Sequence, residues 1–147
     1  MKVFLFWRNW LLAVCFTMSL FGILMVFLAG TPIFDVFNRQ IDPAFWDANT
    51  IPAEARMFRN WIYGVWGATI AGWGILLTFV VAVPFSRQEK WAWNGVVFGV
   101  LVWYVFDTVL SILFKVGFNV CFNTVILAAV LLPMIVLRKH FPSVGKE

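Results

Sequence analysis

Residues 61–83 read WIYGVWGATIAGWGILLTFVVAV, without one charged side chain, and Pro84 closes the run. A helix of about 20 mainly apolar residues crosses the roughly 30 Å hydrocarbon core of a bilayer, so this stretch predicts a membrane-spanning helix. Trp61 and Tyr63 at its start fall where aromatic rings settle at headgroup level. Three further runs share this character, at about 10–30, 91–114 and 119–137. Backbone polar groups in lipid must be satisfied within the protein, which permits helices or a closed barrel. None of the runs shows the apolar–polar alternation of barrel strands. The expectation is an all-α membrane protein: one four-helix transmembrane bundle over 1–147, with a partly helical outer loop at 31–60.

Composition points the same way. Apolar residues make up 63% of the 147 and charged residues 12%, and the mean hydropathy of +0.90 lies outside the range of water-soluble domains. The net charge of +4 does not signal nucleic acid, because the basic residues sit at the ends of apolar runs and form no stripe. They act as topology signals. Lys2, Arg8, Arg87, Lys90, Arg138, Lys139 and Lys146 fall on one side of the expected membrane, and Arg39, Arg56, Arg59 and Lys115 on the other. The excess predicts both termini on the cytoplasmic side of the membrane. Asp35, Asp42, Asp47 and Glu54 offset the outer four.

The first run follows Lys2 and Arg8 like a secretory signal, but it is longer than a signal core and lacks a small-residue cleavage site, so it reads as a retained anchor. Lys115 to Phe118 leave room only for a tight turn, which makes the third and fourth helices antiparallel neighbours. In the outer loop, Ile33, Phe34, Phe37 and Ile41 recur at helical spacing, and Asp42-Pro43 reads as a cap followed by a first-turn proline. Two short surface helices are expected there. Ile51-Pro52-Ala53-Glu54 is a further start signal, placing the onset of the second spanning helix outside the membrane.

Gly64, Ala68 and Gly72 form a four-residue ridge on the second helix, with Gly67 and Ala71 beside it; Gly95 and Gly99 offer a matching surface on the third. Small residues let helix backbones approach where no hydrophobic force pulls them together, so these two helices are expected to pack closely.

Asp107 is the one acidic side chain inside an expected span. A charge at membrane depth costs about 2.5–3.5 kcal/mol on insertion scales and normally faces the bundle interior with a partner. At about 1.5 Å rise per residue, folding the chain back at Lys115 brings Asp107 level with Asn123 and Thr124. Asn119 lies one turn further out and Thr69 at similar depth. Two readings stand side by side: a polar clamp that fixes how helices dock, or a binding or proton-handling site reached from the outer side. Trp73 and Trp103 fall near mid-membrane, where core filling is the first expectation and cavity lining the second.

No metal or haem ligand set is present: His140 is the sole histidine, lying beyond the last run, and Cys15 and Cys121 are too far apart to pair. Both cysteines are expected to be buried fillers. Ser19 and Ser111 show no base nearby, and no catalytic residue or cofactor is assigned. The first span lacks the glutamate through which small multidrug transporters resemble one another.

The runs 61–74, Glu89 to Asn94, Trp103 to Thr108 and Phe118 to Thr124 together resemble a group of small four-helix bacterial inner-membrane proteins that has no assigned activity. The likeness covers the second to fourth helices and implies a bacterial source. It transfers no ligand or residue role. The expected function is a non-enzymatic membrane protein with a polar pocket around Asp107 that binds or transports a small lipophilic or cationic ligand. The pocket residues are Asp107, Asn123, Thr124, Asn119, Thr69 and Trp103. Expected partners are the lipid bilayer, that ligand, and a second copy or another membrane protein, with no nucleic acid. The rivals are an interaction subunit of a larger membrane complex and an intramembrane enzyme acting on a lipid or isoprenoid.

Overall fold

Lys2–Leu28 form α1, an apolar helix that no glycine or proline interrupts until Gly30 and Pro32, apart from Gly22 at its core. Thr31 Oγ1 donates to Leu28 O at 2.8 Å and covers one of the carbonyls that the helix end exposes. The structure, a computed structural model, describes residues 1–46 and 51–141; Asp47 and Lys146, used above for charge balance, lie outside them. A 3₁₀ turn at Pro32–Phe34 leads into α2, Asp35–Ile41, and Asp42–Ala44 add only one further 3₁₀ turn where a second surface helix was expected. α3 covers Ala53–Val80, with Pro52 at its cap and Glu54 in its first turn, where a negative charge favours the helix start. It does not stop at Pro84: a π-helical turn, Val81–Phe85, carries it on, and Ser86 Oγ donates back to Val81 O at 2.9 Å.

α4, Lys90–Leu113, and α5, Gly117–Leu137, complete the set, ending in a 3₁₀ turn at Arg138–His140. Lys115 adopts a left-handed φ of 60°, which reverses the chain between α4 and α5 in a few residues. Four helices are thus long and apolar enough to cross a membrane, and the described residues contain no strand. Between 11% and 28% of the residues in their most apolar windows are buried, so most of the apolar side chains point outward, as they do where the solvent is hydrocarbon.

α3 packs along α1, α1 against α5, and α5 against α4. The neighbour order is therefore α3–α1–α5–α4, an open horseshoe rather than a closed ring. The tight helix pair is α1 with α3, and its seam is Gly67, Ala71 and Gly74 against Ser19, Gly22 and Met25. A methyl group on Gly67 would lie 2.5 Å from Gly22 O and 2.6 Å from Met25 Cβ, so only a hydrogen fits. This corrects the expected pairing of α3 with α4 through Gly64, Ala68, Gly72, Gly95 and Gly99. Nothing stands within 4 Å of a Cβ built on any of those four glycines, and Ala68 is exposed. The ridge that packs is rotated by about one residue, or 100°, and meets the small residues Gly22 and Ser19 of α1.

Both termini and the α3–α4 linker meet at one end. There Phe4, Phe85 and Phe141 stack, with ring centroids 6.1 Å apart for Phe4–Phe85 and 4.7 Å for Phe85–Phe141. Val81 and Phe85 share this core with Ala92 and Val96, so α3 and α4 converge here and separate toward the opposite, loop-bearing end. A second core at the loop end joins Met25, Ala29, Phe34 and Tyr63. A cavity lies between the two.

Candidate functional site

The cavity measures about 320 Å³ and fills the interior of the horseshoe. Phe21 and Met25 of α1, Trp66, Thr69, Ile70, Trp73 and Leu77 of α3, Gly95, Val96, Gly99, Val100, Trp103 and Asp107 of α4, and Phe118, Asn119, Phe122, Asn123, Ile126 and Val130 of α5 form its walls. Phe34, Phe37 and Ile41 of the loop segment close its top, with Phe37 edge-on to Phe118 at 5.7 Å and to Phe122 at 6.4 Å. Gly95 and Gly99 serve this space: their missing side chains leave room that a helix contact would have filled.

Asp107 stands on the α4 wall. Its Oδ1 accepts from Asn119 Nδ2 at 2.6 Å and from Asn123 Nδ2 at 2.8 Å, and Ser111 Oγ, 3.2 Å from Oδ1, donates at 2.7 Å to the backbone carbonyl of Asp107. Asn119 Nδ2 also reaches Ser111 Oγ at 2.8 Å. Asn119 and Asn123 are four residues apart, which stacks them on the same face of α5. Oδ2 of Asp107 receives no donor among the described residues, while Asp107 itself lines the cavity. One carboxylate oxygen is therefore anchored, and the other is left without a protein donor on a residue that lines the cavity.

Of the expected pocket residues, Asp107, Asn119, Asn123, Thr69 and Trp103 all line the cavity. Thr124 does not: it is exposed, bonds Val120 O, and lies 3.2 Å from Tyr104 Oη on another face. One residue beyond Asn123 is 100° further around a helix, too far to reach the same carboxylate. Thr69 Oγ1 is spent on Val65 O at 3.1 Å, leaving its methyl group for the wall. Trp73 and Trp103 line the cavity instead of filling a core, and Trp73 is about half exposed. Cys15 is buried as expected, but Cys121 is exposed.

Ser111 was not expected among Asp107's partners. Its position one turn after Asp107 was the available signal, since i and i+4 residues share a helix face. The roof falls on the loop segment where surface helices were expected as a lid, with α2 and the turn before it supplying Phe34, Phe37 and Ile41. Composition did not reveal the ion pair of Arg59 with Asp42, the one salt bridge among the described residues, which ties the loop segment to α3. Beside it Asn38 Oδ1, Asp42 Oδ1, Arg59 Nε and Tyr63 Oη are buried without a protein partner. No group of three or more metal-ligating side chains occurs among the described residues.

No family model, curated protein or solved structure matches the chain.

Proposed function

We propose that the chain is a non-enzymatic, multi-pass membrane protein that binds or moves a small lipophilic or cationic ligand in the cavity headed by Asp107. The observation that carries this reading is the unequal use of one carboxylate: Oδ1 is held by two Asn amides, while Oδ2 has no donor among the described residues, on a side chain that lines an apolar, ligand-sized space. A clamp alone would use both oxygens and would need no cavity. Binding pockets typically combine an apolar lining with a few fixed polar groups and volumes of about 300–1,000 Å³.

Lys2, Arg8, Arg87, Lys90, Arg138 and Lys139 lie at or near the end that gathers both termini. By the positive-inside rule that end is cytoplasmic, and the cavity opens in the outer half of a bacterial inner membrane. The resemblance noted for 61–124 supports the same compartment.

Native mass spectrometry of protein released from its own membranes tests the reading. A small molecule should accompany the native chain and be lost from Gly99→Leu, whose new side chain would enter the cavity. A copurifying membrane protein in its place, unaffected by Gly99→Leu, would favour an interaction subunit instead.

A further inference from the structure

Three features of the cavity narrow the ligand. The first is charge. The donors on Asp107 are two amides and a hydroxyl, all neutral, and no Lys, Arg or His stands among the described cavity-lining residues. Arg59, whose charge is spent on Asp42, is not among them. A carboxylate in apolar surroundings thus has no protein counter-charge, and an occupant bearing a positive charge would supply it. The second is the wall itself. It is rich in aromatic rings, Trp66, Trp73, Trp103, Phe37, Phe118 and Phe122 among them, and an aromatic face attracts a cation and not an anion.

The third is shape. Along α4 the lining runs from Gly95 to Asp107, about 18 Å at 1.5 Å per residue, long enough for an extended alkyl chain. The way in is sideways. α3 and α4 make no extended contact, Gly72, Gly95 and Gly99 face open space, and Trp66 and Trp73 are 49% and 50% exposed.

We infer, building on the binding reading above, that the ligand is an amphiphilic organic cation with an extended apolar tail that enters from the bilayer between α3 and α4 and sets its charged head against Asp107 Oδ2. The chain then lies toward Val96, Leu77 and Val130.

The test uses the full-length protein in phosphatidylcholine nanodiscs, with indole fluorescence as readout. Two quenchers are compared, a bromine-tipped dodecyl trimethylammonium and the bromine-tipped dodecyl alcohol, each scaled to its concentration in the membrane. The ammonium probe should quench at about ten-fold lower concentration, a difference of about 1.4 kcal/mol. Asp107→Asn should erase the preference, Asp107→Glu should retain it, and Gly99→Leu should abolish saturable quenching by both. Equal quenching of the native protein by the two probes, still lost in Gly99→Leu, overturns the cation and leaves cavity binding standing. Quenching that Gly99→Leu leaves unchanged for both probes overturns this inference and the binding reading together.

Discussion

The indole N–H of Trp10 donates to the carbonyl oxygen of Ala129 at 2.9 Å, and Ala129 is the residue that Pro133 leaves without its helical donor. A carbonyl in α5 would normally accept from the N–H four residues on, which proline lacks. Trp10 thus crosses from α1 to close a gap in the α5 ladder. Trp93 Nε1 does the same for Met134 O, at 2.9 Å, near the end of α5, where the last carbonyls have no helical partner.

Trp10→Phe should therefore destabilise the protein by about 1–3 kcal/mol, the cost of an acceptor left unsatisfied away from water. In a Pro133→Ala background the ladder regains its N–H, and the same change should cost much less. A double-mutant cycle from reversible unfolding in mixed micelles reads the coupling; additive effects would show that the two features are unrelated.

The two small-residue ridges of α3 should respond oppositely to enlargement. Gly67→Leu places a side chain where Gly22 O and Met25 Cβ already stand, and should cost at least about 1–3 kcal/mol or abolish folding. Gly72→Leu adds a side chain in open space and should be tolerated. Monodispersity and thermal unfolding of the purified variants decide it; equal damage from both would contradict the horseshoe order.

At the polar cluster, Asp107→Ala strips two Asn amides of a shared acceptor, while Ser111 keeps the carbonyl of residue 107, and should destabilise by about 1–3 kcal/mol. Asp107→Asn keeps an oxygen in place and should cost less. Thr124→Val should have no effect on the cluster, because Thr124 is not part of it. Thermal unfolding in detergent measures all three, and a Thr124→Val loss equal to that of Asp107→Ala would refute the assigned geometry.

The loop segment is held down by Asp42 and Arg59, whose side chains are only 10% and 13% exposed. Arg59→Met leaves a buried carboxylate unpaired, a change that costs about 3–5 kcal/mol where the pair is fully desolvated. The loss should appear as lifting of the roof, read by faster thiol labelling of a cysteine placed at Ile41. Adding Asp42→Leu to Arg59→Met should restore slow labelling. Tyr63→Phe, which removes a buried hydroxyl that has no partner, should be neutral or stabilising.

A terminal reporter and a position-specific thiol probe test the orientation. Fusion to either terminus should place the reporter in the cytoplasm. A cysteine at position 107 should resist a bulky impermeant reagent added from outside, since α2 and the aromatic roof cover it. Rapid reaction would remove the enclosed site.

Much of the local structure was legible in the chain. Pro52 and Glu54 announced the start of α3, and the shortness of 114–116 announced the α4–α5 hairpin. Asp107 stood out because a charge among apolar residues has few stable placements in lipid. Depth counting found Asn119 and Asn123 but also admitted Thr124, because rise along a helix ranks height and says nothing about which way a side chain faces. Pro84 was read as a stop because proline breaks the α pattern; the π turn absorbs it one residue further on.

Local composition alone decided that the described residues hold four long apolar helices, because the length and hydrophobicity that suit a span are properties of a contiguous segment; α1 begins at Lys2, eight residues before the start expected at 10. Which helices touch was decided only in three dimensions. Gly64, Ala68 and Gly72 look as suitable for packing as Gly67, Ala71 and Gly74, and the choice fell to Gly22 and Ser19, small residues on a distant helix. Once α1 took that face of α3, α4 was left apart from it, and the space between them became the cavity that Asp107 overlooks. A void has no sequence signature, since it is set by what fails to meet.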